Sequence, residues 1–134
     1  MLIMKTKTAP ITIGISLFLA GILCTAGCKK EAGVIGKKII SGVVYYKNGV
    51  SGADDPAPSA IVFITYGATE ATGSYNQTTT TNSNGEYKIK GLQKGNYFVT
   101  AEYTDTHGFK YATYGYAVQI NNKKSELKLD IRLQ

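Results

Sequence analysis

Apolar residues recur at every second position through most of the chain after residue 38, the period of a strand with one face buried. The clearest run is the last one, where Leu127, Leu129, Ile131 and Leu133 alternate with Lys128, Asp130, Arg132 and Gln134. In residues 39–47, Ile40, Gly42, Val44 and Tyr46 share one face. Residues 60–66 are continuously apolar and β-branched, which suits a central strand. Four consecutive threonines mark residues 75–81 as a strand with one wet face. Residues 86–90 and 96–104 add two more strands. Residues 109–120 form a seventh, with Tyr114, Tyr116, Val118 and Ile120 on one face.

Turn chemistry separates these runs. Asn48-Gly49, Asn84-Gly85, Asp105 to Gly108 and Asn121 to Lys124 carry the residues that tolerate tight reversals, and Gly91 and Gly95 punctuate the connection between them. Asn84-Gly85 is expected to close a hairpin. Residues 50–59 hold Pro56 and Pro58, which cannot donate to a ladder, so this segment is expected to be a loop or an edge crossing. Seven strands with turns every eight to twelve residues, and no helix of useful length, predict an all-β fold: a seven-stranded, two-sheet Greek-key β-sandwich of prealbumin or immunoglobulin type. Tyr87, Leu92, Tyr97 and Val99 are its expected core anchors, with Tyr97 bonding back to backbone.

The first 27 residues follow another logic. Lys5 and Lys7 precede an apolar run from residue 11 to 23, and the small residues Thr25-Ala26-Gly27 lead to Cys28. This is the pattern of a secretory leader. As a helix, thirteen residues span about 20 Å, short of the roughly 30 Å hydrocarbon core. The Thr25-Ala26-Gly27-Cys28 junction resembles the lipobox of bacterial lipoproteins, departing from it at Thr25, where leucine is commonest. The resemblance implies a diacylglycerol on the Cys28 thiol and cleavage before it; the alternative is ordinary leader cleavage leaving a free thiol. The expected organisation is a signal peptide over 1–27, a lipidated tether over 28–38 and one sandwich over 39–134. Lys29 stands where an inner-membrane retention signal has Asp, and Lys29-Lys30-Glu31 looks like the charged segment of surface-exported lipoproteins in the Bacteroidetes. The expected address is therefore the outer membrane, facing outward as a weaker second expectation.

Composition sharpens this picture. The chain has ten Tyr, four Phe and no Trp, with 43% hydrophobic residues. The formal charge of +6 falls with the leader, since Lys5 and Lys7 leave with it, and Arg occurs once, at Arg132. A nucleic-acid partner would call for a basic stripe rich in Arg, so none is expected.

Three stretches resemble the carboxypeptidase-regulatory-like, transthyretin-like domains: Ile40-Ser41-Gly42-Val43-Val44, Ala60-Ile61-Val62, and residues 81–99. In the last, Thr81, Asn84, Gly85, Tyr87, Leu92, Gly95 and Tyr97 occupy the positions of the family pattern. The resemblance implies a small prealbumin-like sandwich that is usually an accessory domain without catalysis.

Candidate chemistry is sparse. His107 is the single histidine and lies in a turn. Hydrolases of the transthyretin-like group depend on several His and Arg residues and a C-terminal motif, which one His, one Arg and a Leu133-Gln134 ending do not supply. No enzyme, cofactor or resident metal is expected, although Asp54-Asp55 would offer oxygens to Ca²⁺. Asn76-Gln77-Thr78 matches a glycosylation acceptor. A Lys–Asn cross-link, as in some related sandwiches, would have to begin at Lys37 or Lys38, but the last strand offers only Asp130. The tyrosines are the best binding candidates, because each joins an apolar ring to a polar tip. Tyr45, Tyr66, Tyr75 and Tyr111 are expected to face outward. The functional expectation is a non-catalytic, lipid-anchored envelope module that binds a protein partner, with carbohydrate binding through exposed tyrosines as the alternative.

Overall fold

The structure is a computed structural model and describes residues 35–134. The expected leader, Cys28 and most of the expected tether lie outside the described residues. The ten strands are β1 (Lys38–Lys47), β2 (Asp54–Pro56), β3 (Ile61–Tyr66), β4 (Gln77–Thr80), β5 (Glu86–Leu92), β6 (Gly95–Thr104), β7 (Lys110–Ala112), β8 (Tyr116–Ile120), β9 (Glu126–Lys128) and β10 (Ile131–Leu133). They form the two-sheet sandwich that the alternation predicts. Each sheet is organised around one long strand.

In the first sheet β1 is that strand. Its even residues face one edge: the Val44 N–H donates to Gly85 O and the Val44 carbonyl accepts from the Ala57 N–H, each at 2.8 Å. This edge therefore takes β5 and β2, both antiparallel. The odd residues face the other edge, where β9 and β10 run parallel to β1. In the second sheet β6 is central, with β3 and then β4 on one side. Its other side takes β8 along 95–99 and β7 along 102–104. The sheets are stitched where Gln134 and Ala112 exchange backbone hydrogen bonds of 3.0 and 3.2 Å.

The core is the set of inward positions. Ile40, Val44, Ile89, Leu92 and Ile131 come from the first sheet, and Val62, Ile64, Tyr97 and Val99 from the second, all of them at 1% exposure or less. Burying a side chain of this size contributes about 1.5–3 kcal/mol, so this alternation is the main support of the fold.

Four details differ from the sequence expectation. Residues 54–56 form a short strand within the expected loop, and Pro56 is tolerated there because β2 is an edge. Asn84-Gly85 does not close a hairpin. The turn is closed by Gly85 N–H to Asn82 O at 3.0 Å, but β4 and β5 belong to different sheets, so it is an arch between layers. Gly85 holds φ +73, and Pro56 and Val44 O would meet any Cβ at 2.9 Å.

The other two differences are breaks in predicted strands. The run 109–120 divides at residues 113–115, where Gly115 takes φ +99 with its backbone against the Phe98 ring. That kink turns Tyr114 outward, to 94% exposure, instead of inward with Tyr116 and Val118. The last run divides at Leu129 and Asp130. There Asp130 Oδ1 accepts the Val43 N–H at 2.9 Å, a side chain replacing a ladder bond.

The expected anchors Tyr87, Leu92, Tyr97 and Val99 are all buried, and both tyrosine hydroxyls are bonded. Tyr97 Oη donates to Gln93 O at 2.7 Å and accepts the Gln93 N–H at 3.1 Å, tying the loop between β5 and β6. Tyr87 Oη donates to Leu129 O at 2.6 Å. Thr81 is equally structural, with Oγ1 accepting the Ala60 N–H and donating to Ala57 O.

Candidate functional site

The ten-residue β1 spans about 33 Å at the usual strand rise, and it gives the sandwich two ends. The chain enters at one. Gly36 N–H bonds to Gly91 O at 2.8 Å, and Lys38 Nζ reaches the carbonyl of Lys124 at 2.7 Å. At the opposite end, Tyr46, Tyr103 and Tyr111 form an aromatic cluster with centroids 4.8, 5.1 and 6.2 Å apart. It underlies a cleft of about 630 Å³, whose rim carries Val50 at 89% exposure and Phe109 at 65%.

Asp105 organises the rim. Its Oδ1 accepts the backbone N–H of His107 and of Phe109, each at 2.9 Å, and its Oδ2 accepts the Tyr111 hydroxyl at 3.3 Å. Burial alone would raise the carboxyl pKa, but the Phe109 and His107 amides outweigh it and hold the group below the ordinary carboxylate range. Burial in turn pushes the Tyr103 phenol up, with Tyr46 and Asp105 adding to the effect. His107 Nδ1 stands 4.0 Å from Asp105 Oδ2. Asn48 also closes on its own surroundings, donating to Asp55 Oδ2 and accepting from the Val50 N–H. The polar atoms of this end therefore largely satisfy one another.

A second aromatic region lies on the outer face of the β3–β6 sheet. Tyr75 packs on Phe63 with centroids 4.5 Å apart, and Tyr114 stands exposed beyond the kink at Gly115. A groove of about 300 Å³ runs between them over Thr100, Ala101 and Glu102. Thr113 Oγ1 accepts the Gly115 N–H at 3.3 Å here, but two other polar groups of the groove have no partner among the described residues. Thr100 is 9% exposed and its hydroxyl has no hydrogen-bond partner among the described residues. Glu102 is exposed and likewise has none there.

The four tyrosines singled out in the sequence do not converge. Tyr75 is outward, 48% exposed. Tyr45 is half-buried on the outside of the first sheet, beneath the Arg132 guanidinium at 5.3 Å. Tyr66 and Tyr111 are half-buried against the core and so are not outward as expected; Tyr66 sits edge-on to Tyr97, and Tyr111 joins the end cluster. The period-2 pattern cannot separate an outward ring from one folded over the end of a sheet. Alternation alone puts Tyr114 on the inward face, because the kink that turns it out depends on Gly115 lying against Phe98, 17 residues back.

Other candidate sites are not assembled. Asp54 is paired with Arg132 and Asp55 with Asn48, and no group of three His, Cys, Asp or Glu residues is gathered among the described residues. Asn76 Oδ1 accepts the Tyr66 N–H at 2.8 Å, which engages its carboxamide in the turn before β4. Lys38 is held by turn carbonyls while Asp130 caps Val43, so no Lys–Asn set forms among the described residues.

A mixed five-stranded sheet centred on an N-terminal strand, an antiparallel five-stranded sheet, inter-sheet arches and a back-bonded tyrosine define a prealbumin-like β-sandwich. The chain belongs to the carboxypeptidase regulatory-like domain family, whose profile matches residues 39–134. No curated protein matches the sequence significantly. Among solved structures, the major pilin subunit of Bacillus cereus superposes with TM-score 0.51 at 18% identity, over 73% of this chain and 30% of the pilin. This chain therefore spans under a third of that protein. A candidate carbohydrate-binding protein of Pseudomonas aeruginosa superposes with TM-score 0.50 at 16% identity, over 75% of this chain and 91% of its own. At these identities the likeness concerns the fold.

Proposed function

We propose that the protein is a non-catalytic, lipid-anchored module of the cell envelope that holds a partner protein at the end of the sandwich remote from its anchor. One observation carries this reading. The chain enters at the Gly36–Gly91 end, and the exposed Val50 and Phe109 stand about one strand length away, around the 630 Å³ cleft. An anchor on Cys28 would turn that rim outward from the membrane. Two acyl chains or more hold a protein stably at a bilayer, and an exposed apolar rim over a rigid aromatic base suits a protein contact. The family and the sandwich fold shared with a pilin subunit and a candidate carbohydrate-binding protein are consistent with a binding role rather than a catalytic one.

Metabolic labelling with palmitate tests the anchor: label is expected in the wild type and absent from Cys28→Ser, and label retained by that variant refutes the assignment. Cross-linking in intact cells tests the rim. The wild type is expected to yield a partner adduct that the double variant Val50→Asp, Phe109→Asp loses; identical adducts from both would remove the rim from the interface.

A further inference from the structure

We propose that the groove on the outer face of the β3–β6 sheet is a carbohydrate site, taking one or two rings of a neutral, hydroxyl-rich glycan between Tyr75 and Tyr114. The inference rests on neither the lipid anchor nor the protein-binding rim.

Three features of the groove select this ligand. Its volume of about 300 Å³ lies at the small end of ligand sites, enough for a ring or two and shallow enough for a chain to pass through. Its walls are aromatic on both sides. Tyr75 is braced by Phe63 at 4.5 Å, and Tyr114 is 94% exposed. A pyranose presents C–H groups from its ring faces, and these suit the electron-rich faces of tyrosines, which also lose little conformational freedom on binding.

The floor supplies the third feature. Buried polar side chains are nearly always hydrogen-bonded, yet the Thr100 hydroxyl has no partner among the described residues, and Thr100 lines the groove. Two residues along the strand, on the same face, the Glu102 carboxylate is exposed and has no partner among the described residues. An ionised carboxylate only accepts hydrogen bonds and has two oxygens with which to do so, which matches a pair of adjacent sugar hydroxyls. The same charge repels uronic or sialic acids, so the ligand is neutral. An apolar peptide would desolvate the exposed Glu102 carboxylate without giving it a partner and would leave the buried Thr100 hydroxyl unpaired, an arrangement that costs free energy.

Affinity electrophoresis of the full chain in mild detergent tests the proposal, with gels containing soluble mannan, β-glucan, xylan or polygalacturonate. Retardation is expected in at least one neutral polymer and not in polygalacturonate. Tyr75→Ala and Tyr114→Ala should each weaken it about tenfold, and Glu102→Gln should weaken it too. Circular dichroism of Tyr114→Ala is expected to match the wild type, because that ring is exposed. The rim variant Val50→Asp, Phe109→Asp should bind the polymer as the wild type does, which keeps this test separate from the protein-partner reading. No retardation in any neutral polymer, stronger retardation in polygalacturonate, or undiminished binding by both tyrosine variants would overturn the proposal.

Discussion

The two aromatic regions are built from the same kinds of residue and differ in where their polar atoms go. At the end of the sandwich, Tyr46, Tyr103 and Tyr111 pack on one another, and Asp105 receives two amides and a phenol. On the outer sheet face, Tyr75 and Tyr114 flank a hydroxyl and a carboxylate without partners among the described residues. A polar network that satisfies itself rigidifies a fold. One that leaves donors and acceptors open is a place where another molecule can complete it. The larger cleft therefore contributes shape and an apolar rim, and the smaller groove contributes hydrogen-bonding specificity.

The contrast makes opposite demands on stability, and its sharpest break is between two tyrosine truncations. Tyr103 is 8% exposed and joins the core to the end cluster. Tyr103→Ala is expected to cost about 3–5 kcal/mol, whereas Tyr114→Ala should stay within about 0.5 kcal/mol of the wild type. Chemical denaturation of both reads the difference. Comparable losses would mean that Tyr114 is a packing residue and that the groove is part of the fold's support.

A smaller effect comes from acid. The Asp105 carboxyl is held below its ordinary range chiefly by the Phe109 and His107 amides, against the opposing effect of burial. A depressed folded pKa means that the stabilisation is complete above the unfolded value of about 3.9 and is lost as pH falls through the folded value. The stability gap between the wild type and Asp105→Ala should therefore be constant near neutrality and narrow on acidification below about pH 4. Denaturation midpoints across that range measure it. A gap that widens in acid would show that the carboxylate is not what organises the rim.

The sequence made one half of this contrast much easier to read than the other. Alternation at Ile40, Val44, Ile89, Val99, Ile131 and Leu133 is a local property that burial imposes on every strand, so the sandwich and most of its core were legible. So was the role of Tyr97, since its hydroxyl bonds only four residues back. The groove was not. Tyr114 leaves the inward face because Gly115 lies against Phe98, and Thr100 meets Phe63 only through the β3–β6 register. Neither contact leaves a periodic trace. The parallel pairing of β10 with β1 was hidden for the same reason, because perfect alternation looks alike in either direction. The end cluster was half visible: Tyr111 was singled out, but a ring folded over the end of a sheet has the same spacing as one facing out.

The smallest expected change is the most discriminating. If the Thr100 hydroxyl is held for a ligand, the free protein bears the cost of a buried polar atom without a partner, so replacing it by an isosteric apolar group should relieve that cost. Thr100→Val is therefore expected to raise stability by about 1 kcal/mol while weakening retardation in the neutral polymer. A site that gives up stability for binding is a common trade-off, and it gives the two readouts opposite signs. Nothing in the self-satisfied end cluster should behave this way: Tyr111→Phe, which takes a donor from Asp105, should lower stability and leave glycan retardation unchanged. Loss of stability in Thr100→Val would show that its hydroxyl is bonded in the free protein, and the polar distinction between the two aromatic regions would fall with it.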